Sequence, residues 1–522
     1  MKSAEFVLSL LIAVAVLVTV ARRLRVAYPI FLVLGGLAIG FVPGLPRVQV
    51  DPELIFLLVL PPIVYIASVF TPLRTLRANL ANVASLAIGL VIASALVAAA
   101  VTHTLVSGMS WPIALVLGAI TSPSDEVAVT QVGPQLAMPR RVLSVIEAES
   151  LLNDATGVTL YRVALLAALA GSVTFVFAIG TFFVSSVVGI AVGIVVGWLA
   201  VQVRRRINDT PVEITLALLT PYAAFLPAQA LNASGVIATV VTGLYVGSRF
   251  SQITSADSRL AGRSVWEMVV FLLNGFVFVL TGLEVPYVLG GLAMSDIAKF
   301  IGVGVAVTLS LIAVRAIWIF VSAYLRRRRK PESFERNWLG DSVVLTWSGM
   351  RGVISLAIVL ALPQTLPSGA PFPSRAELLV ITLTVIVLTL VGQGLTLPWV
   401  VRRAHLGADR EVLDEEAAAR RRLVDAAVGR IDELYPVWPG HHPLLDEMRE
   451  KYRHRSEHAK TQRESSSDTA NQELIEHREI RRTVADAERE ALFRLRTDGA
   501  IDDDVLRKLE RELDLEEQRG EA

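Results

Sequence analysis

SPSDEVAVTQVGPQLAMPRRVLSVIEAESLLNDATG, residues 122–157, sets Asp125, Glu126, Glu147, Glu149, Asn153 and Asp154 inside sequence that is otherwise apolar and helix-like. A carboxylate at membrane depth costs about 2.5–3.5 kcal/mol on insertion scales. Such a group is retained for a task. The acids fall on two consecutive candidate spans, and Pro123 interrupts the first of them. Proline removes a backbone donor and clashes with the preceding turn. Ser122, Ser124 and Asp125 then offer oxygens where the helix unwinds. Irregular backbone at that depth is tolerated only when buried in protein or lining a water cavity.

The rest of the chain supplies the membrane. It has 522 residues, 53% of them hydrophobic, and a mean hydropathy of +0.56. That is too apolar for an ordinary soluble domain. The net charge of +1 gives no reason to expect a nucleic-acid partner, and the lack of cysteine excludes disulfides, thiolate catalysis and Cys-based metal sites. The apolar N-terminal run has no small-residue cleavage site before its basic cluster, so it reads as a retained first span. Stretches of about 20 apolar residues predict thirteen spans: 4–21, 28–43, 53–70, 79–105, 112–134, 142–170, 173–203, 211–229, 233–248, 264–285, 297–325, 339–362 and 376–401.

Loop charges test that list independently. Basic residues accumulate on the cytoplasmic side. Odd-numbered loops carry Arg22, Arg23 and Arg25, then Arg74 and Arg77, Arg140 and Arg141, Arg204 to Arg206, Arg249, Arg259 and Arg263, and finally Arg326 to Lys330 with Arg336. The other side shows only Lys2, Arg47, Lys299 and Arg375. This places the N-terminus outside and the C-terminus inside. Residues 1–403 form the membrane domain. Residues 404–522 form a charged helical cytoplasmic domain, with helix-prone runs at 411–435 and 502–520 and a polar linker at 459–472. It holds six of the seven histidines: His405, His441, His442, His454, His458 and His477. The plain reading of this tail is a solvated packing domain, and the second a pH-sensing one.

Span twelve has its own interruption, TWSGMRGVIS, where Gly349 and Gly352 flank Arg351. Two broken spans in corresponding positions of two halves mark a transporter site. The expected architecture is therefore all-α: two inverted six-helix repeats, spans one to six and eight to thirteen, whose broken helices cross. On span six, Glu149 to Asn153 and Ser150 to Asp154 are i,i+4 steps. Ser150 and Asp154 thus present oxygens to one ion, a set suited to a hard monovalent cation. A buried carboxyl group there holds a proton or a cation, not both, and that competition is sufficient for exchange. No nucleotide-binding GxxxxGK[ST] loop is present to drive a pump.

SDEVAV (124–129), ESLLNDATG (149–157) and WSGMRGVISLAIVLALP (347–363) resemble the sodium/proton antiporters of the first cation:proton antiporter family, the NhaP and animal exchanger group. LPPIVY (60–65) and FLLNGFVFVLTGLEV (271–285) are similar to it as well, so the resemblance covers about residues 5–403. It implies that Asp154 carries the ion and the proton, and that Asn153 before it marks the electroneutral, one-for-one type. It implies Glu149 and Arg351 as a buried ion pair holding span six against span twelve. It also implies a multi-pass plasma- or inner-membrane homodimer, with no cofactor and only transported Na+ and H+. The family's Thr-Asp-Pro stands here as Ser124, Asp125 and Glu126. Asp125 either coordinates the ion with Ser124 or neutralises helix N-termini at the crossing; the sequence leaves both open. The family's acid after the LPP segment is replaced by Tyr65, Ile66 and Ala67, so span three supplies no ligand. Glu267 and Arg315 are expected as a second structural pair. Glu147, Arg162 and His103 are given no chemistry. The competing readings are a cation channel, a potassium-preferring antiporter and a sensor built on a vestigial transporter. The acids cluster at one site instead of forming a ring, which argues against a channel. The intact Asn153-Asp154 pair argues against a vestige.

Overall fold

Alternating apolar runs and charged turns become helices throughout. The computed structural model describes residues 2–23, 28–42, 52–71, 73–78, 80–126, 129, 138–170, 175–207, 209–290, 292–329, 338–366, 369–404, 406, 410–464 and scattered positions between 483 and 513. Arg25, Arg47, Lys330, Arg336, His405 and His477, and nearly all of 502–520, lie outside the described residues. The described residues form two compact units, 1–408 and 409–522.

The first unit contains α1 (Lys2–Arg23), α2 (Tyr28–Gly40), α3 (Pro52–Phe70), α4 (Leu73–Ala78), α5 (Leu80–Leu105), α6 (Trp111–Thr121), α7 (Arg140–Ala170) and α8 (Phe175–Arg204). After these come α9 (Thr210–Ala230), α10 (Gly235–Gly247), α11 (Phe250–Ile253), α12 (Ala256–Gly290), α13 (Met294–Arg329), α14 (Trp338–Trp347), α15 (Val353–Leu360) and α16 (Arg375–Arg403). Among the described residues there is no strand, only one isolated bridge between Thr365 and Pro371. Six of these helices are long and apolar enough to cross a membrane: α5, α8, α9, α12, α13 and α16.

The helix surfaces follow from the solvent. Phe183, Val184, Val187, Val195 and Trp198 on α8, and Leu309 and Ile317 on α13, are exposed. In water such stripes would be an aggregation hazard, whereas against hydrocarbon they are the matching surface. The buried apolar side chains form two large clusters. One joins α3, α5, α6, α7, α13 and α16; the other joins α1, α2, α12, α15 and α16. Close approach of α2 and α12 depends on glycine. A Cβ on Gly282 would lie 2.5 Å from the backbone of Val33 and Leu37, and one on Gly36 would overlap the carbonyl of Val279. Small residues at a helix contact let two backbones meet where burial gives no hydrophobic driving force.

Two elements differ from ordinary helices. α5 carries a π-turn at Ser85–Leu90 and α16 carries one at Leu388–Gln393. The first brings Ser85 Oγ to accept from the Trp318 indole N–H at 3.2 Å. The second lifts Thr389 toward the break between α14 and α15. Such bulges concentrate at functional sites.

In the second unit, α17 (Arg410–Leu434) and α18 (His442–Glu464) form a helical hairpin closed by a short turn at Pro439–His441. The run expected at 411–435 is α17. The linker expected from residue 459 is a correction: α18 continues to Glu464, because alternating charged and long side chains sustain the helix, and 465–472 lie outside the described residues. His442 stacks on Tyr435 with ring centroids 4.7 Å apart.

Candidate functional site

α6 stops at Thr121, and Ser122 to Glu126 run without helical structure beyond Pro123. The second interruption covers Ser348 to Gly352. The two irregular segments cross and bond directly: the Asp125 N–H donates to the Met350 carbonyl at 2.7 Å. This satisfies backbone groups that water would otherwise have to reach.

The crossing matches charge to helix ends. Asp125 Oδ2 accepts from the Val353 N–H, the first helical residue of α15, at 2.8 Å. A carboxylate there meets the positive end of the helix dipole. Gly352 makes the approach possible, since a Cβ at that position would overlap the Asp125 carboxylate. At the opposite pole, the Arg351 guanidinium donates to the Ser122 carbonyl, and Ser355 Oγ donates to the Ile120 carbonyl at 2.7 Å. Both serve the C-terminal end of α6. The Arg351 N–H in turn donates to Thr389 Oγ1 at 3.2 Å, the contribution of the π-turn in α16.

α7 presents its polar face to this crossing. Ser150 Oγ donates to the Ser124 carbonyl at 3.2 Å, and Asn153 Nδ2 donates to the same carbonyl at 3.2 Å and to Ser124 Oγ at 2.8 Å. Ser124 Oγ donates to Glu149 Oε1 at 3.2 Å. Arg315, from the middle of α13, completes the group. Its Nη1 donates to Glu149 Oε1, its Nη2 to Glu149 Oε2 at 2.9 Å, and its Nε to the Leu345 carbonyl at 3.0 Å.

Two expectations change here. Glu149 pairs with Arg315 and not with Arg351, because Arg351 is turned to the end of α6. The pair expected between Glu267 and Arg315 is absent: Glu267 forms an exposed i,i+4 pair with Arg263 at 3.0 Å, while Arg315 is buried at Glu149. The Ser124 hydroxyl donates to Glu149 and accepts from Asn153 and, at 3.5 Å, from Arg315, which uses the one donor and two lone pairs of a hydroxyl.

Ser150 and Asn153 reach the Ser124 segment from α7, and Asp154 follows them on the same helix. Asp154 is buried, and no hydrogen bond from the described residues reaches its carboxylate. The carboxylates of Asp125 and Glu126 are near enough to act on it electrostatically. Asn153 Oδ1 is buried without a hydrogen-bond partner among the described residues, one turn from Ser150. Among the described residues no cluster of histidine and acidic side chains has the form of a resident metal site. What is assembled instead is a carboxylate and an amide oxygen left open beside the crossing of two broken helices.

Two further polar contacts escaped the sequence reading. Arg204, read as a loop charge, is buried with Glu213 at 3.0 Å and also donates to Thr254 Oγ1 at 3.1 Å. Arg162 donates to the Ala233 carbonyl at 3.0 Å, next to a Thr159–Ser234 hydroxyl contact of 3.0 Å. The signal for Arg204 was available: Glu213 is the one acid in the first turns of a span otherwise apolar.

An all-helical membrane protein in which two unwound helices cross beside an open carboxylate is, by class, a secondary transporter. Residues 8–403 match the family model described as sodium/hydrogen exchanger, transmembrane. A relative in Mycobacterium tuberculosis, named as an uncharacterized Na(+)/H(+) exchanger, is 36% identical over 523 residues, covering 98% of this chain and 95% of its own. The Na(+)/H(+) antiporter ApNhaP of Aphanothece halophytica is 31% identical over 439 residues, 82% of this chain and 80% of its own. Among solved structures, the sodium proton antiporter MjNhaP1 of Methanocaldococcus jannaschii superposes with a TM-score of 0.62 at 18% identity, covering 77% of this chain and 99% of that one. The chain belongs to the sodium/hydrogen exchanger family. It is a multi-pass membrane antiporter of cations and protons, and not an enzyme.

Proposed function

We propose that Asp154 is the group that alternates between proton and sodium, and that exchange is electroneutral, one cation for one proton. The observation that carries this is the pairing of an open, buried Asp154 carboxylate with the unpartnered Asn153 Oδ1. Two nearby charges have other duties: Glu149 is matched by Arg315, and one oxygen of Asp125 by the N-terminus of α15. Asn153 is an amide and brings an oxygen ligand but no proton. In this reading the cation is held by Asp154, Asn153 Oδ1 and Ser150 Oγ, whose proton is spent on Ser124 and whose lone pairs remain. Asp125 stays ionised at the helix terminus and lends charge from the side.

The same reading has the chain cross the bilayer thirteen times as two inverted repeats, N-terminus outside and C-terminus in the cytoplasm. The core built on the broken helices moves against the remaining helices, which pair two protomers. The transport domain ends near Arg403, and 404–522 are a cytoplasmic domain. The physiological role is sodium and pH homeostasis. A potassium-preferring exchanger is the second reading. It draws on an antiporter of Bacillus pumilus named for sodium, potassium, lithium and rubidium, 29% identical over 412 residues, 77% of this chain and 61% of its own.

The test is cation-induced proton flux in proteoliposomes, scanned across sodium, lithium and potassium. Saturable proton movement driven by sodium is expected. Unitary channel currents, or flux with potassium alone, would reject the reading.

A further inference from the structure

A groove of about 580 Å³ lies on the first unit between α2, α3 and α12, far in sequence from the ion site. Its lining is Tyr28, Ile66, Phe70, Trp266, Val270 and Phe271, with Arg263 and Glu267 at its mouth. All of these residues come from the same end of the bundle. Tyr28 opens α2 just after the Arg22–Arg25 cluster, Ile66 and Phe70 close α3 just before Arg74 and Arg77, and residues 263–271 open α12. Tyr28 and Phe271 meet edge to face at 5.9 Å, and Phe70 meets Phe250 in the same way at 6.0 Å. Amphipathic aromatic rings at a helix end mark the headgroup level of a bilayer. The volume is that of an ordinary ligand pocket.

We propose that this groove binds a phospholipid with a primary-amine headgroup, phosphatidylethanolamine, with the acyl chain along the aromatic wall, the phosphate on Arg263 and the ammonium on Glu267. The charge pattern selects that headgroup. Arg263 Nε donates to Glu267 Oε1 at 3.0 Å, with the two side chains 75% and 67% exposed. An exposed i,i+4 pair of this kind is worth little by itself, so a zwitterion can replace it with two new charge-assisted contacts at small cost. An anionic headgroup engages Arg263 but leaves Glu267 facing a like charge. A quaternary amine has no N–H to donate to Glu267.

The inner end of the groove is polar as well. A cleft of about 30 Å³, room for a water, shares Ile66, Phe70, Arg263 and Trp266 with the groove and runs back to Arg204. Arg204 is 5% exposed, and its Nε has no hydrogen-bond partner among the described residues. Arg204 and Arg263 thus line the same cleft, which adds positive charge behind the groove. The wall that holds Arg204 is fixed by Glu213 and Thr254, while Tyr65 lies 5.7 Å from Trp266, ring to ring.

This inference rests on the proposed orientation only for which leaflet supplies the lipid. Native mass spectrometry of the full chain, titrated with phosphatidylethanolamine, phosphatidylcholine and phosphatidylglycerol of identical chains, tests it without reference to transport. Retention of the ethanolamine lipid about tenfold above the others is expected, equivalent to about 1.4 kcal/mol. Arg263→Gln lowers retention of all three. Glu267→Gln lowers the ethanolamine lipid and raises the glycerol lipid, which no longer faces a like charge, so the preference between the two is lost. Val270→Trp fills the groove and removes the preference. Equal retention of the three lipids, or a preference that survives Val270→Trp, would overturn the assignment. So would Val270→Trp dissociating a dimer without changing lipid retention, which would make the occupant a second copy of the chain. Lipid preference in a chain that exchanges no cation would refute the proposed function and leave this inference standing. Exchange without lipid preference would do the reverse.

Discussion

Replacing Arg315 by glutamine takes four hydrogen bonds from one buried point: two to Glu149, one to the Leu345 carbonyl and a longer one to Ser124 Oγ. Glu149 is 2% exposed and would keep only the Ser124 hydroxyl. Breaking a buried pair from one side costs about 3–5 kcal/mol, because the remaining charge is uncompensated. Arg351→Gln is different. It removes a charged donor from the Ser122 carbonyl, worth about 1.5–3 kcal/mol, and leaves Glu149 matched. The two arginines therefore separate in a double-mutant cycle. Thermal unfolding in detergent is measured for Arg315→Gln, Glu149→Gln and the double variant, then for Arg351→Gln alone and combined with Glu149→Gln. The 149–315 coupling is expected at the upper end of the usual range of about 0.5–3 kcal/mol, and the 149–351 coupling near its foot. The double variant at 149 and 315 should recover much of the loss, since an uncharged pair leaves no orphan. A 149–351 coupling larger than the 149–315 one would refute the assignment of partners, as would Arg315→Gln within about 0.5 kcal/mol of wild type.

Asp154→Asn should abolish sodium-dependent proton flux in proteoliposomes while elution on gel filtration stays that of wild type; flux near wild type would remove Asp154 from the cycle. Gly352→Ala should cost about 1–3 kcal/mol by overpacking and impair transport, because its Cβ overlaps the Asp125 carboxylate, while Gly180→Ala, with open space at its Cβ, serves as the neutral control. Acidification should raise the sodium concentration needed for half-maximal exchange, since proton and cation compete for Asp154; a constant value across pH would separate the two sites. Exchange in vesicles clamped with potassium and valinomycin should not follow the imposed voltage, and a systematic voltage dependence would identify a second proton carrier, with Asp125 the first to examine.

Long-range order was legible where the physics is local. Pro123 and the Gly349–Gly352 pair announced the two breaks because proline and glycine act on their own backbone. The polar face of α7 was legible because helical periodicity alone brings Glu149, Ser150, Asn153 and Asp154 to neighbouring positions. The partner of Glu149 was not. Two arginines, Arg315 and Arg351, lie in apolar spans, and sequence spacing says nothing of which span packs where. The family resemblance pointed to Arg351, and the packing of α13 against α14 decided for Arg315. The π-turns at Ser85–Leu90 and Leu388–Gln393 carry no proline or other local mark, so Thr389 reaching the Arg351 N–H had no signal in the sequence.

The exchanged partners make sense once helix ends are counted as charges. Unwinding α6 at Ser122 leaves carbonyls pointing into protein, and unwinding before Val353 leaves N–H groups doing the same. Arg351 covers the first set and Asp125 the second, each acting as counter-ion to a half-helix as well as hydrogen-bond partner. Arg351 is thereby turned to the end of α6 and makes no hydrogen bond to Glu149. A third helix must then bring a cation, and α13 brings Arg315. Glu149 and one oxygen of Asp125 are matched by groups of the protein that stay in place, while Asp154 receives no hydrogen bond from the described residues. In low dielectric an unmatched carboxylate is costly, and the cost falls when a proton or a cation arrives. In the proposed cycle the cargo supplies the missing charge, and emptying the site in either direction requires the next ion to be at hand.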